Sequence, residues 1–254
     1  MLLAIDTSTA QIGLALYDGT SVPGEFVWHS GLHHTEELAP ALAELLRRVD
    51  IKMEAVTALG VALGPGSFTS LRVGLAFVKG LVLACHIPII GVPTLDIVAA
   101  AVPLSGPSTP FVPRTPEADR CETAGSPMPA APVQAGQYQR LAAVVHAGRG
   151  RLAVGWYKAG ESEWQADGPA TVTTADELAE KIHKPVIVCG EMSADERQRL
   201  RRKFKNVTLA SPSQCVRRPG ILAELAWQRW QAGKIDSAAT LAPIYLHVVG
   251  GLPA

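Results

Sequence analysis

The apolar positions of this chain fall in short runs, and their spacing switches repeatedly between that of strands and that of helices. Leu2 to Ile5 is an unbroken apolar run stopped by Asp6, the pattern of a strand buried on both faces. Ile12 to Tyr17 reads as a second strand, closed by the hairpin signal Asp18-Gly19, and Glu25 to His29 as a third. From His33 the period lengthens: Leu38, Leu42, Leu45, Leu46 and Val49 share one helical face. Pro40 within that face is tolerable only near the first turn, because it donates no backbone hydrogen bond. Thr57 to Leu63 and Ile87 to Val92 are further strands, and Thr94 to Val102 is a short helix that Thr94 can cap.

Leu59 to Cys85, LGVALGPGSFTSLRVGLAFVKGLVLAC, organises this half. A strand breaks at Gly64-Pro65-Gly66 and a long helix begins, with Ser67 or Thr69 as N-cap. Leu71, Leu75, Val78 and Val82 form one apolar stripe; Val73, Phe77, Leu81 and Ala84 form another. A helix apolar nearly all round must be covered on nearly all sides, so it lies at the centre of a domain or keeps one face for a partner.

The pattern then lapses. Eight of the 19 prolines lie between Pro103 and Pro132, among Ser, Thr, Gly and Ala. Ordering such a segment costs about 1–2 kcal/mol per residue in backbone entropy with little apolar area to offset it, so residues 104–136 are expected to be a disordered, dispensable insertion. Regular structure resumes with a hairpin, Arg140 to Ala147 and Arg151 to Lys158 around Gly148-Arg149-Gly150. It continues with a helix at Ala175 to Ile182, a strand at Pro185 to Cys189 and a helix at Asp195 to Lys203. A strand at Val207 to Ala210, a helix at Gly220 to Gln231 and an extended segment at Leu241 to Val249 complete the chain. Each half thus opens with antiparallel strands and continues in alternating α and β, which predicts a two-lobed α/β protein: residues 1–103, the insertion 104–136, and residues 137–254.

Composition narrows the functional classes. With 23 basic and 23 acidic residues there is no overall charge to attract nucleic acid. Cys85, Cys121, Cys189 and Cys215 are too scattered for a metal knuckle or a disulfide framework. The opening MLLAIDTST lacks the basic region of a secretion signal, and the longest apolar stretch is cut by His86 and Pro88, short of a bilayer span. These features lead to the expectation of a cytoplasmic protein with no membrane association.

Three groups of residues invite chemistry. Asp6, Thr7, Ser8 and Thr9 could hold a metal–nucleotide complex, or simply form a hydroxyl turn that ends a strand. Gly64, Gly66 and Ser67 could cradle a phosphate at the helix N-terminus, or merely connect strand to helix; without the lysine of GxxxxGK[ST] they are not a Walker loop. His33 and His34 beside Glu36 and Glu37 lack the one-turn spacing of a zinc pair and read as a solvated helix start.

Taken together, LAIDTSTAQIGLALYDG, HHTEELAPALAELL, GVALGPGSFTSLRVGLAFVKGL and IPIIGVPTLDIVA resemble the bacterial TsaB (YeaZ) family, with PVIVCGE and PIYLH as fainter echoes. The chain departs from the family at His34-Thr35-Glu36, at Ser70, at His146-Ala147-Gly148 and in its insertion. The resemblance implies two ribonuclease-H-like lobes of the actin/hexokinase/Hsp70 (ASKHA) type. It also implies a role in making N6-threonylcarbamoyladenosine at position 37 of tRNA, as a non-catalytic subunit beside a catalytic TsaD-like paralogue and a TsaE-like ATPase. TsaD-like relatives carry a helical HxxxH metal pair; here Leu38 stands four residues after His34. Accordingly no catalytic residue, no metal and no cofactor is expected in the isolated chain, ATP or ADP entering only in the assembled complex, and tRNA only indirectly. Leu38, Leu42, Leu45, Leu71, Leu75, Phe77 and Val78 are expected to form the partner face, or a homodimer face when the partner is absent. The competing readings are a small-molecule kinase or ATPase using Asp6 and the glycine turn, and a metallopeptidase using His33, His34 and Glu36.

Overall fold

The structure, a computed structural model, describes residues 1–31, 33–104, 139–148, 150–203 and 205–246. The insertion expected at 104–136 therefore lies almost wholly outside the described residues, as does the end of the extended segment expected at Leu241 to Val249; its described part, 241–246, forms no strand.

The first half builds a five-stranded sheet from β1 (Leu2–Asp6), β2 (Gln11–Tyr17), β3 (Gly24–His29), β4 (Ala58–Ala62) and β5 (Ile89–Val92), in the order β3-β2-β1-β4-β5. β1, β2 and β3 are antiparallel neighbours, and β4 and β5 run parallel to β1. The second half repeats this plan. Its strands β6 (Arg140–His146), β7 (Leu152–Ala159), β8 (Trp164–Ala166), β10 (Val186–Gly190) and β11 (Val207–Leu209) lie in the order β8-β7-β6-β10-β11, with β9 (Thr171–Thr173) also paired to β7. The expected β6–β7 hairpin forms, with His146 opposite Leu152. The short strands β8 and β9 carry too little apolar pattern to be seen in the sequence.

On the first sheet, α1 (His34–Val49) and α2 (Phe68–Cys85) cover one face. Leu38, Leu42, Leu45, Leu75 and Val78 bury there against Leu3, Ile5, Leu14 and Leu59. The opposite face is covered by α6 (Pro219–Gln231) through Leu222, Ala223 and Ala226. Chain order groups this helix with residues 137–254, yet it packs on the first sheet. The helix α3 (Thr94–Ala100) sets Leu95, Val98 and Ala99 against the second sheet, whose other face is covered by α4 (Ala175–Lys181) and α5 (Ala194–Arg201). Thus α3 and α6 lie between the two sheets, and each half completes its core with a helix that touches the other.

Local chemistry follows the sequence closely at two helix starts, where Thr174 and Ser193 each form a reciprocal capping box with Glu177 and Glu196. Pro40 is carried well inside α1, on its exposed side. α2 is, by length and composition, apolar enough to cross a membrane. Here, however, its residues Leu71, Gly74, Leu75 and Val78 are buried in the first lobe.

Candidate functional site

The carboxyl ends of β1 and β4 face those of β6 and β10 across a cleft of about 1420 Å³. Ligands of open α/β sheets bind at such strand ends, so this is where the candidate groups were expected to act. Asp6, Thr7, Ser8, Gly64, Gly66 and Ser67 do converge beside it, Gly66 and Ser67 lining the cleft and the others buried behind them, but they are bonded to one another and to the rest of the protein rather than left open. Asp6 Oδ1 accepts from the Ser8 backbone N–H at 2.8 Å and from its hydroxyl at 2.6 Å. The Ser8 hydroxyl lies 2.7 Å from Thr94 Oγ1, which accepts from the Gly64 N–H at 2.9 Å. Thr7 Oγ1 donates to the Ser70 carbonyl at 2.9 Å, and Ser67 N–H donates to the Ser8 carbonyl at 2.7 Å. Ser67 is the N-cap of α2, accepting from Ser70 N–H. Thr94, expected to cap α3, instead ties β1 to the glycine turn; the residue at the cap position is Pro93.

Two glycines permit this closeness. A Cβ at Gly66 would lie far inside van der Waals contact with the Ser8 carbonyl oxygen, and one at Gly74 far inside contact with Thr7 Oγ1. Gly66 thus serves to let the turn lie flat on the strand end, the tight-connection alternative, and its backbone is packed on Ser8 where a phosphate would have to sit.

The group that decides the character of the site is Arg217, which is 2% exposed. Its Nε donates to Asp6 Oδ2 at 2.9 Å, its Nη2 to Thr9 Oγ1 at 2.9 Å, and its Nη1 to Glu191 Oε1. Thr9 also donates to Glu191 at 2.6 Å. Burial opposes the guanidinium charge, but Asp6 and Glu191 outweigh it and hold the pKa above its ordinary value. One cation therefore bridges a carboxylate at the end of β1 to a carboxylate following β10. A phosphate or a hydrated metal ion approaching Asp6 would meet this ion pair in place of a free carboxylate. The sequence readings missed Arg217, Glu191 and Thr94. Arg217 stands beside Arg218 before a proline-initiated helix, and nothing local tells which of the two is buried.

The expected partner face is also corrected. Leu38, Leu42, Leu45, Leu71, Leu75 and Val78 are at most 7% exposed and belong to the first lobe's own core. Phe77 is half-buried, lining a groove of about 370 Å³ between α1 and α2 with Thr35, Leu38, Arg72, Val73 and Ala76. Besides charged and polar residues such as Glu36, Arg47 and Arg48, and the exposed Pro40, Phe68 and Thr69, these helices present outward Thr35, Ala39 and Ala43 from α1, and Arg72, Ala76, Gly80, Leu83 and Ala84 from α2, with Leu83 71% exposed. His34, read as part of a solvated helix start, is buried, its Nε2 2.9 Å from the Thr9 carbonyl; its neighbour His33 is exposed. No cluster of metal-ligating side chains occurs among the described residues.

Two lobes of the same strand order, meeting at a shared cleft with helices between them, have the fold of the actin/hexokinase/Hsp70 type. Within that class, YeaZ from Pseudomonas aeruginosa superposes with a TM-score of 0.66 over 96% of this chain and 99% of that one, at 22% identity. A second solved structure, of an uncharacterized protein with similarity to peptidase YEAZ from Pseudomonas aeruginosa, gives 0.68 over 97% and 99%, at 23% identity. Residues 29–116 match the family profile of TsaD, tRNA N6-adenosine threonylcarbamoyltransferase. The tRNA threonylcarbamoyladenosine biosynthesis protein TsaB of Bacillus subtilis (strain 168) is 35% identical over 99 residues, 39% of this chain and 43% of that protein. The chain thus spans less than half the length of the curated relatives it matches. It shares the fold of the solved YeaZ structures and is similar, over 39% of its length, to TsaB proteins.

Proposed function

We propose that this protein is a cytoplasmic, non-catalytic subunit for N6-threonylcarbamoyladenosine formation at position 37 of tRNA. In this role it pairs with a TsaD-type threonylcarbamoyltransferase, works beside a TsaE-type ATPase, and reaches tRNA only through that assembly. The family likeness of the first lobe supports the pathway. The observation that carries the non-catalytic role is the buried Arg217, which neutralises Asp6 where a related kinase or ATPase would present a free carboxylate. The isolated chain then needs no cofactor, and ATP or ADP belongs to the complex.

The partner meets the outward ridge of α1 and α2. Small side chains at Ala39, Ala43, Ala76 and Gly80 let a second helix pair approach closely, and Val73, Phe77 and Leu83 supply the apolar contact. Burying each of the larger ones contributes about 1.5–3 kcal/mol. The test is co-purification with a TsaD-type protein from the same source. A76E and L83E are expected to abolish pairing at unchanged melting temperature, whereas L75E, pointing into the core, unfolds the lobe. Normal pairing by both outward variants removes this face as the interface. Nucleotide turnover by the pure chain that disappears in D6A overturns the non-catalytic role in favour of the kinase or ATPase reading.

A further inference from the structure

The second-lobe wall of the cleft carries two neighbouring thiols that the pairing role does not use. Cys189 sits next to the end of β10 and is fully buried. Cys215 lies in the turn before Arg217, half-buried, and its side chain lines the cleft. That turn is braced: Cys215 N–H donates to the Ser211 carbonyl at 3.1 Å, and Ser211 N–H to Gln214 Oε1 at 3.1 Å.

Donors converge on the Cys215 sulfur. Gly190 N–H approaches it at 3.4 Å and Arg197 Nη1 at 3.6 Å, with the Ala210 carbonyl at 3.7 Å; the neighbouring Cys189 thiol donates to the Gln214 carbonyl at 3.6 Å. Arg197 is held in place by a bond from Nη2 to the Ala210 carbonyl at 2.6 Å, and it forms no ion pair among the described residues. The other nearby cation, Arg217, is already engaged by Asp6 and Glu191. A sulfur facing a guanidinium and a backbone amide is stabilised as thiolate, the nucleophilic form. Cys189, followed by the Gly190 amide and Arg197, holds the Cys215 thiol below its ordinary value against the opposing effect of burial. The neighbouring Cys215, with burial, keeps the proton on Cys189.

We propose that Cys215 is a nucleophilic thiolate that reacts with small hydroperoxides entering the cleft, and that Cys189 resolves the product as an intramolecular disulfide. The Cys215 thiolate attacks the terminal peroxide oxygen. An S–O bond forms, the O–O bond breaks, and two electrons pass from sulfur to the peroxide, whose other oxygen leaves as alkoxide and takes a proton from water. The sulfenic acid at Cys215 is then attacked by the Cys189 sulfur, forming the S–S bond; the departing hydroxide and the Cys189 proton leave as water. In total, two thiols and one hydroperoxide give one disulfide, one alcohol and one water. The disulfide joins the end of β10 to the segment that carries Arg217.

The experiment uses the full reduced chain. One equivalent of hydrogen peroxide is expected to lower the intact mass by about 2 Da, with peptide mapping placing the bridge at Cys189–Cys215. In C189A, dimedone is expected to capture a sulfenic acid at Cys215. At pH 6, where an ordinary cysteine is almost wholly protonated, iodoacetamide should alkylate Cys215 several-fold faster than a model cysteine peptide. R197Q should slow this alkylation several-fold, and R197K should restore it, at equal melting temperatures. The proposal is overturned if Cys215 reacts no faster than the peptide, if peroxide leaves it reduced, or if the bridge forms to Cys85, to Cys121 or between chains.

Discussion

Replacing Arg217 by methionine keeps most of the side-chain volume and removes the charge. Asp6 would then keep only its two bonds from Ser8, while Thr9 would keep its bond to Glu191. With charge centres about 4 Å apart and an effective dielectric near 20, the Asp6–Arg217 attraction is about 4 kcal/mol. Removing one member of a buried pair costs about 3–5 kcal/mol, because the other charge stays behind without compensation. At about 2–4 °C per kcal/mol for a chain of this size, R217M should melt roughly 6–20 °C below wild type. The companion variant is D6N/R217M, in which no charge is stranded at the end of β1; it should recover most of the loss, since an uncharged replacement of a buried pair is often close to neutral. Urea unfolding followed by circular dichroism gives both values, and the double-mutant cycle isolates the coupling. If R217M lies within about 1 kcal/mol of wild type, or if D6N/R217M is no better than R217M, Arg217 is not the counterion of Asp6 and the argument against a free carboxylate fails with it.

Other outcomes follow from the same geometry. G74A should destabilise the first lobe by about 1–3 kcal/mol through overpacking against Thr7, measurable as a lowered urea midpoint, while G80A, where a Cβ meets open space, should be neutral or slightly stabilising. Glu196 is held below the ordinary glutamate range: burial works against its charge, but hydrogen bonds from His146 and Ser193 prevail. Its lowered pKa adds stability above the unfolded glutamate value, about 4.3, and this is lost as pH falls through the folded value. E196Q should therefore be less stable than wild type at neutral pH and converge on it in acid, as read from melting curves across that range.

The order of elements was legible because periodicity is local: the run Leu2–Ile5 and the leucine face of α1 state their burial in a few residues. The glycine turn and the Ser67 cap were legible for the same reason, since a tight strand-to-helix connection has a short chemical signature. That α2 has two apolar stripes was also visible, but not which of them is inward. Sequence spacing fixes the angle between side chains on a helix and says nothing of the helix's rotation on its sheet. The rotation was set by the close contact of Gly74 with Thr7, and it turned Leu71, Leu75 and Val78 inward and Ala76, Gly80 and Leu83 out. Asp6 could be found from the sequence, and its partner could not. Arg217 lies 211 residues away and reaches Asp6 only because α6 crosses back onto the first sheet. Whether a carboxylate at a strand end is free to hold a ligand or already neutralised depends on which distant charge the fold brings to it, and no local pattern encodes that.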